Sequence, residues 1–440
     1  MRLGLTETNQ PRVVIIGGGF AGLAVARKLQ RSEMQVLLLD RNNYHLFQPL
    51  LYQVATAGLE PDSIAFPLRK IFKRYRNLTF RMAEVTSVAP AENRVITDIG
   101  PIDYDYLVLA TGSRTNFFGR SELADKVMTL KSIPEAMELR NLMLENLEHA
   151  VLVEDLKERE ALMNFVVVGG GPTGVETAGA LGELKRHILP RDYPDLDIRL
   201  LNVHLLEMEG RLLGGMSEEA GEESLAALKK LGVKVWLDTG LADYDGEIVK
   251  LTNGKTMAAQ TVIWSAGVEG ATLPGFADNL VAKGNRLSVD QFNRVSGFEN
   301  VFALGDLAAM TSDDLPKGHP LLAPVAIQQG ELLGENLVRL RAGKEMQPFN
   351  YRDKGALATI GRNRAVADLG RFHFKGIIAW LLWTFIHLMT LVGFRNRMVV
   401  FVNWLWNYFT YDRGVRLILK PFDRKIPRQK KENRKSPTSA

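Results

Sequence analysis

The chain has 440 residues, too many for a single ordinary hydrophobic core, and its length predicts roughly three modules of about 150 residues. It contains no cysteine, which excludes disulfides, iron–sulfur clusters and dithiol redox chemistry, so any redox activity requires bound organic cofactors; no metal site is predicted. The net charge is +5 but Lys420–Ala440 alone carries +6, and a basic tail on a near-neutral body favours an anionic surface over nucleic acid.

The first motif in the chain is the glycine run Gly17-x-Gly19-x-x-Gly22, which follows an apolar, β-branched stretch and opens a helix predicted from Leu23 to Gln30. The first glycine allows a tight turn, the second lets backbone amides approach a pyrophosphate, and the third lets the helix pack closely on the strand. Asp40 ends the next apolar stretch, where its carboxylate can bind adenosine ribose hydroxyls. A lone glycine run is as often a structural turn, but strand, helix and acid together predict a dinucleotide site.

A capping box follows at Ser132-Ile133-Pro134-Glu135, where Ser132 and Glu135 have the required spacing. It predicts a helix that runs towards Glu160 and crosses from a first domain to a second.

The second glycine run, Gly169-x-Gly171-x-x-Gly174, repeats the first in sequence and in its apolar approach. Glu207 ends the next strand-like stretch, but it lies thirty-three residues past Gly174, so the segment Lys185–Asp197 must be an insertion in the crossover. Two βαβ openings predict two nucleotide-binding folds. The alternative for Glu207 is a solvated carboxylate at a strand end.

The charge of Glu207 bears on the choice between NADH and NADPH. A carboxylate at the adenosine ribose repels a 2′-phosphate and favours NADH, whereas the nearby Arg211 leaves NADPH open.

Two further apolar stretches end in small residues, Thr261–Gly267 and Val301–Asp306. Strand ends of this kind line the cofactor crevices of open α/β sheets. They are therefore expected at the two nucleotide sites.

The composition changes from Phe372 onward, where four of the six tryptophans lie. Two mostly apolar helices are predicted, and their polar residues fall in narrow stripes: Thr384, His387 and Thr390 in the first, Asn396, Asn403 and Asn407 in the second. His387 is interpreted as an ordinary member of its stripe. Helices of this kind suit the membrane interface, although buried core helices have the same composition.

The basic tail favours the membrane reading, because each Lys or Arg beside an interfacial helix adds about 1 kcal/mol at an anionic leaflet. The first ten residues lack the apolar core of a secretory signal, so we expect the chain to stay in the cytoplasm. The sequence therefore predicts a peripheral, monotopic protein on the cytoplasmic side of the cell inner membrane.

The two glycine runs, Ala110-Thr111-Gly112, Leu304-Gly305-Asp306 and the segment His45–Ala55 together resemble the type II, non-proton-pumping NADH:quinone dehydrogenases. The resemblance extends from about Pro11 to about Arg416. It implies an α/β protein with two Rossmann-like dinucleotide-binding domains of the glutathione reductase kind and a C-terminal amphipathic helical membrane-anchoring region. The implied boundaries are 1–120 with 285–350 for FAD, 121–284 for NADH, 351–420 for the membrane region and 421–440 for a flexible basic tail.

The resemblance also implies the ligand contacts. Those to FAD are Gly17, Gly19, Phe20, Ala21, Gly22, Asp40, Arg41, Gln48, Thr111, Gly112, Asp306 and Ala326. Those to NADH are Gly169, Gly171, Pro172, Thr173, Gly174, Glu176, Glu207, Ala266 and Gly267. Those to a membrane quinone, menaquinone or ubiquinone, are Ala323, Gln328 and Gln329. Pro324 stands where the family has a glutamine, which leaves the shape of the quinone pocket open.

Three residues are candidates for the chemistry: Glu176, Gln328 and Lys375. Hydride transfer from NADH to FAD needs proximity and orientation only, whereas quinone reduction also takes up two protons. Glu176 in a desolvated cleft is a plausible proton carrier, and its alternative is a structural role at the helix start. Lys375 either stabilises charge near the flavin and quinone or is an exposed lysine.

The predicted function is that of an FAD-dependent NADH:quinone oxidoreductase that pumps no protons. Sulfide:quinone oxidoreductases look similar but need cysteines, and soluble NADH:ferredoxin-type reductases lack an apolar C-terminus. A membrane-bound FAD redox sensor or scaffold without turnover is the alternative from another class. The sequence leaves a homodimer open.

Overall fold

The computed structural model describes residues 8–410 and 414–419, and a five-stranded parallel sheet lies at the centre of its first nucleotide-binding fold. Val13, Val14 and Ile15 have no exposed surface, because helices and a smaller sheet cover both faces. The strands in spatial order are Val301–Ala303, Tyr106–Leu109, Arg12–Ile16, Gln35–Asp40 and Leu78–Met82. One face carries the helices Phe20–Lys28 and Ala323–Arg341.

The second nucleotide-binding fold has a four-stranded parallel sheet. Its strands in spatial order are Val233–Trp236, Asn202–Leu206, Asn164–Val168 and Thr261–Trp264. The two predicted folds are thus both present, and an antiparallel pair, Ser113–Thr115 with Val268–Gly270, joins them.

The crossover of the second fold contains the predicted insertion. The helix Pro172–Glu183 continues into one π-helical turn, Leu184–Ile188, and a short helix, Leu189–Asp192, before the next strand. The sequence distance from the glycine run to Glu207 is therefore longer than the corresponding distance to Asp40 in the first fold. The strands Asn164–Val168 and Asn202–Leu206 nevertheless remain neighbours.

The capping box at Ser132 is confirmed, since Glu135 N donates to Ser132 Oγ and the Glu135 side chain accepts from Ser132 N. The predicted extent of the helix is wrong. It runs Ile133–Leu152 and ends there, and a separate helix, Leu156–Met163, begins with Asp155 as its own cap.

The remaining elements complete the two folds. The other strands are Tyr44–Leu46, Ala65–Pro67, Val85–Ala89, Arg94–Thr97, Gly100–Asp103, Leu241–Tyr244, Ile248–Leu251, Thr256–Ala258, Val281–Ala282, Arg286–Ser288 and Ala308–Ala309. The other α-helices are Leu51–Ala55, Pro61–Ile64, Leu68–Ile71 and Glu218–Lys230.

The C-terminal region opens with a three-stranded antiparallel sheet that the sequence analysis did not predict: Ala356–Thr359, Ala365–Leu369 and Phe372–Lys375. Two helices follow, which we name the first C-terminal helix (Gly376–Thr390) and the second C-terminal helix (Phe394–Thr410). Within the described residues, neither these nor any other helix has the length and apolar content needed to cross a membrane. The predicted basic tail lies outside the described residues.

Candidate active site

The first glycine turn forms a cradle of bare backbone. Gly17 has φ +105°, and a Cβ on it would lie 2.2 Å from the carbonyl oxygen of Ala110. A Cβ on Gly22 would lie 1.9 Å from the carbonyl oxygen of Gly17, so the helix packs on the turn only because Gly22 has no side chain. Gly19 has no atom within 4 Å of its ideal Cβ position, which leaves open space at the helix start. The turn therefore fits the pyrophosphate of a dinucleotide such as FAD.

Asp40 lies against this turn at the end of its strand. Its Oδ2 accepts a hydrogen bond of 2.6 Å from Gly18 N, and its Oδ1 accepts one of 2.7 Å from Asn42 N. Burial raises the pKa of Asp40, and these two backbone donors oppose that shift. The carboxylate is thus fixed beside the cradle, where ribose hydroxyls can reach its remaining lone pairs.

The second glycine turn repeats this geometry. Gly169 has φ +108° with Ala266 Cα 2.6 Å from its ideal Cβ, and a Cβ on Gly174 would lie 1.8 Å from Gly169 O. Gly171 again has nothing within 4 Å. Glu207 Oε2 accepts a hydrogen bond of 2.6 Å from the backbone N of the residue after Gly169, as Asp40 does in the first turn. The longer crossover therefore does not displace the acid.

Arg211 is turned towards the loop that follows it. Its Nη1 donates to Met216 O at 3.0 Å and its Nη2 donates to Gly214 O at 2.6 Å. These contacts hold the guanidinium on backbone carbonyls and leave Glu207 as the charged group at the second turn.

Asp306 lies in a polar chain at the junction of the two folds. Ser113 Oγ donates to Asp306 Oδ2 at 2.6 Å, and Lys131 Nζ donates to Ser113 Oγ at 2.9 Å. Burial lowers the pKa of Lys131, while the nearby Asp306 and Glu135 raise it. Sequence reasoning found Asp306 but missed Ser113 and Lys131, because neither belongs to a glycine motif.

Other predicted cofactor residues surround this junction. Thr111 Oγ1 donates to Ala271 O at 2.8 Å, and Gln48 Nε2 donates to Lys131 O at 3.0 Å, so both connect segments of the two folds. Gly112 has φ +71°. The rest lie at or next to the two turns: Phe20, Ala21 and Arg41 at the first, Pro172, Thr173, Ala266 and Gly267 at the second, and Ala326 under Gly305. The ring of Phe118, which was not predicted, lies directly on Gly267.

Glu176 lines a partly open cavity of about 120 Å³. The residue is 7% exposed, and its Oε1 accepts hydrogen bonds from Thr359 N at 3.3 Å and Trp383 Nε1 at 3.2 Å. Burial raises the pKa of Glu176 to about 8, and the two donors oppose that shift. The cavity walls also include Tyr52 and Trp404, so a carboxyl group that is mostly protonated near pH 7 faces an aromatic pocket.

The predicted quinone residues do not line this cavity. Gln328 exchanges two hydrogen bonds of 3.0 Å with the backbone of Arg352. Gln329 is 1% exposed, and its Oε1 accepts from Gly305 N at 2.7 Å, so it supports the turn that carries Asp306. Ala323 is the first residue of the same helix. The side-chain amides of both glutamines are thus bonded to backbone groups.

Lys375 is also absent from the cavity walls. Its side chain is 72% exposed, and its Nζ lies 3.6 Å from Glu223 Oε2 on the helix Glu218–Lys230. The structure therefore matches the alternative reading of Lys375 as an exposed lysine.

The two C-terminal helices cover the cavity with aromatic side chains and expose apolar ones. We name their outward side the apolar face. Its side chains are all at least 43% exposed, and they are Ile377, Ile378, Leu381, Phe385, Met389, Phe394, Met398, Phe401, Val402, Leu405, Trp406 and Phe409. Exposed apolar side chains in this number, on two consecutive helices, are typical of an interaction site.

Two of the three stripe residues of the second C-terminal helix, Asn396 and Asn407, face the protein. Asn396 Nδ2 donates to the carbonyl oxygens of Asp62 and Ala65, and Asn407 Nδ2 donates to that of Gly58. Trp404 Nε1 donates to Gln53 Oε1 at 2.8 Å on the same side. Asn396 and Asn407 therefore lie on the side by which the helix packs on the protein.

In the first C-terminal helix the three polar side chains bond to backbone carbonyls four residues earlier. His387 shares this backbone bond with the two threonines of its stripe. Its ring is half-buried and stacks on Trp383 with 4.1 Å between the ring centroids. Burial lowers the pKa of His387 to about 4, so the ring is neutral.

The sequence of residues 11–330 matches the pyridine nucleotide-disulphide oxidoreductase family, and residues 354–411 match the NDH2 C-terminal domain. The two nucleotide folds and their matched turns define the same class, and the chain belongs to the pyridine nucleotide-disulphide oxidoreductases.

The chain is 36% identical over 430 residues to a type II NADH:quinone oxidoreductase of Mycobacterium tuberculosis, covering 92% of this chain and 91% of the relative. It therefore belongs to the type II NADH:quinone oxidoreductase family. NDH2 from Plasmodium falciparum in complex with NADH has the same fold, with a TM-score of 0.84, 20% identity, and coverage of 94% of this chain and 100% of that chain. A sulfide:quinone oxidoreductase from Aquifex aeolicus is less similar, with a TM-score of 0.69, 19% identity, and coverage of 91% and 96%.

Proposed function

We propose that this chain transfers two electrons from NADH to a membrane quinone through bound FAD, with the balance NADH + H⁺ + quinone → NAD⁺ + quinol. The observation that carries the proposal is Glu176, a buried carboxyl group in an aromatic cavity beneath two helices with an apolar outer face. Quinone reduction needs a proton source in a site that an apolar substrate can enter from the membrane. Family membership supports the same reaction.

FAD is the cofactor that the first fold suits. The open space at Gly19 accepts the pyrophosphate, Asp40 binds the adenosine ribose, and Asp306 binds the ribityl chain. Bound FAD supplies the hydride-accepting, two-electron chemistry that the chain's own side chains lack. Lys131 and Ser113 keep the Asp306 carboxylate in place at the junction of the folds.

NADH is the dinucleotide that the second fold suits. Glu207 accepts hydrogen bonds from the ribose hydroxyls, and its negative charge repels a 2′-phosphate. Arg211 is held on the carbonyls of Gly214 and Met216 and does not compensate the charge of Glu207. The second turn therefore favours NADH over NADPH.

Glu176 is the proton donor for the quinone. Its pKa of about 8 keeps the carboxyl group mostly protonated near pH 7, which is the state that a general acid requires. The donors from Thr359 and Trp383 hold Oε1, so the group keeps one orientation in the cavity. The quinone head enters this cavity, and the sequence leaves menaquinone and ubiquinone open.

The apolar face attaches the protein to the membrane as a peripheral protein on the cytoplasmic side. Its exposed aromatic and aliphatic side chains suit the interface between headgroups and acyl chains. The positive charge of Lys420–Ala440 favours an anionic leaflet, where each basic residue adds about 1 kcal/mol.

An anaerobic titration tests the reaction. NADH should bleach the visible absorption of bound FAD, and a short-chain quinone should restore it. Restoration without a quinone acceptor would contradict the proposal. Bleaching that ferredoxin reverses and quinone does not would favour a ferredoxin-type reductase. Absence of bleaching would favour a sensor or scaffold that holds FAD without turnover.

A further inference from the structure

Two groups in the described part of the chain donate to the Glu176 carboxylate. One is the backbone N of Thr359, which only a substitution by proline would remove. The other is the indole Nε1 of Trp383. Trp383 is 207 residues away in sequence and belongs to the first C-terminal helix. The group that contacts the proton donor thus comes from an element whose opposite side is the apolar face.

Trp383 is held in a fixed orientation. Its side chain is 2% exposed, its ring stacks on His387, and Trp404 lies against it with 5.6 Å between centroids. His387 Nδ1 is 2.8 Å from the carbonyl oxygen of Trp383, one helical turn away. Because His387 is neutral, this stack fixes the indole without adding a charge near Glu176.

The remaining titratable groups around the cavity belong to several elements. Tyr52, Glu183, Arg362 and Tyr408 all line it. Arg362 donates to the carbonyl oxygens at the end of the second C-terminal helix, and its backbone N donates to Glu183. The shift in the pKa of Glu176 comes from burial and the two donors, with no contribution from any of these charges.

We propose that Trp383 is a positioning residue that orients the Glu176 carboxyl group in the cavity and eases its ionisation when a proton passes to the quinone. The inference rests on the proposed function. A hydrogen-bond donor to a carboxylate stabilises its charged form, so the indole offsets part of the rise in the pKa of Glu176 that burial causes. Without it the carboxyl group would hold its proton more tightly and lose its fixed orientation.

The test is the pH dependence of kcat with a saturating short-chain quinone in Trp383→Phe, which keeps a ring and removes the donor. Turnover of the wild type should fall as pH rises through the pKa of Glu176. In Trp383→Phe this fall should move upward by about one pH unit, because a hydrogen bond to a charged group is worth roughly a tenfold change in equilibrium. The matched control is Trp404→Phe, which loses an indole bond to Gln53 in the same cavity and should leave the fall unmoved.

An infrared titration gives a readout that does not depend on turnover. The C=O stretch of the protonated Glu176 carboxyl group, identified by its absence in Glu176→Gln, should persist to higher pH in Trp383→Phe than in the wild type. If neither this midpoint nor the fall in kcat moves, the role of Trp383 is overturned. If Glu176→Gln keeps the wild-type fall in kcat, the proposed role of Glu176 itself fails, whatever Trp383 does.

A second variant covers the case in which Trp383→Phe does not hold FAD. His387→Ala removes the ring stacked on Trp383 and lies outside the cavity walls. It should shift the infrared midpoint in the same direction by a smaller amount. An unmoved midpoint in His387→Ala would then overturn the proposal.

Discussion

The two glycine turns share the φ angle of their first glycine and the close approach at their third, but they lie in different surroundings. Their first glycines have φ +105° and +108°. A Cβ atom added to the third glycine of either turn would lie within 2 Å of a carbonyl oxygen. Around the first turn, the helix Ala323–Arg341 and the buried Gln329 support the loop of Asp306. The second turn carries the exposed helix start Pro172–Thr173. The same backbone turn thus suits a retained cofactor in one fold and an exchanging substrate in the other. The difference comes from the residues around each turn.

The largest effect expected from this comparison comes from adding one methyl group to either turn. Gly22→Ala should abolish FAD binding, because its Cβ meets the carbonyl oxygen of Gly17 at 1.9 Å and forces the helix off the strand. Gly174→Ala makes the same clash at 1.8 Å in the second fold and should abolish bleaching by NADH while FAD remains bound. The visible absorption of purified Gly22→Ala measures its FAD content, and titration of Gly174→Ala with NADH measures bleaching of the flavin.

Gly19→Ala and Gly171→Ala serve as controls for folding, since their Cβ atoms meet nothing within 4 Å. They should fold normally and weaken only the nucleotide of their own turn. If Gly174→Ala also lost FAD, the two folds would not be independent.

The next effect concerns the cavity, where Glu176→Gln removes the proton donor. Turnover with quinone should fall by about 10²-fold, the lower end for a general acid, while bleaching of FAD by NADH continues. Stopped-flow measurement of the two half-reactions separates these steps. Equal slowing of both would contradict a role confined to quinone reduction.

The same variant has a signature in stability. The pKa of Glu176 is raised from 4.5 to about 8 in the folded state, so between these pH values the folded protein binds more protons than the unfolded one. The free energy of unfolding of the wild type should therefore fall with rising pH across this window. Glu176→Gln lacks this dependence, and the difference between the two denaturation curves should grow from pH 4.5 to about 8.

A smaller effect is expected at the apolar face. Phe385→Glu places a charge on a side chain that is 63% exposed and should reduce liposome binding at least tenfold, since burying an aromatic ring contributes about 1.5–3 kcal/mol. Turnover with a soluble short-chain quinone should stay unchanged. The matched control is Leu152→Glu, whose side chain is 78% exposed but lies on the helix Ile133–Leu152. Equal loss of binding in both variants would remove the apolar face as the membrane contact.

The turns and their acids could be predicted because their requirements are local. Glycine spacing after a strand fixes the backbone, and Glu207 reached its turn despite a longer crossover because the strands remain neighbours. The cavity could not be predicted in the same way. Trp383 and Glu176 are far apart in sequence, and an apolar pattern does not reveal which tryptophan meets a carboxylate. The sheet Ala356–Lys375 was missed because its strands are short and carry no motif.

The polar stripe of the second C-terminal helix shows the same limit. Its spacing correctly put Asn396 and Asn407 on one side, but their partners are backbone carbonyls of the segment 58–65, which periodicity cannot identify. Gln328 and Gln329 were assigned to the quinone by resemblance, and their bonds to the backbone of Arg352 and Gly305 could likewise not be read from the sequence.

The smallest effect distinguishes the two acids. In both turns one carboxylate oxygen accepts from a glycine N at 2.6 Å, and the other accepts from a second backbone N, that of Asn42 or Glu209. An amide oxygen can keep the bond from the glycine, so Asp40→Asn and Glu207→Gln should fold and lose only the second bond. Glu207→Gln removes the charge that repels a 2′-phosphate, and the preference of kcat/KM for NADH over NADPH should narrow by roughly three- to tenfold. Asp40→Asn should leave that ratio unchanged and speed the loss of FAD on dilution. A ratio that moved in Asp40→Asn and not in Glu207→Gln would reverse the assignment of the two folds, because the acid that senses the 2′-phosphate must belong to the turn that binds the substrate.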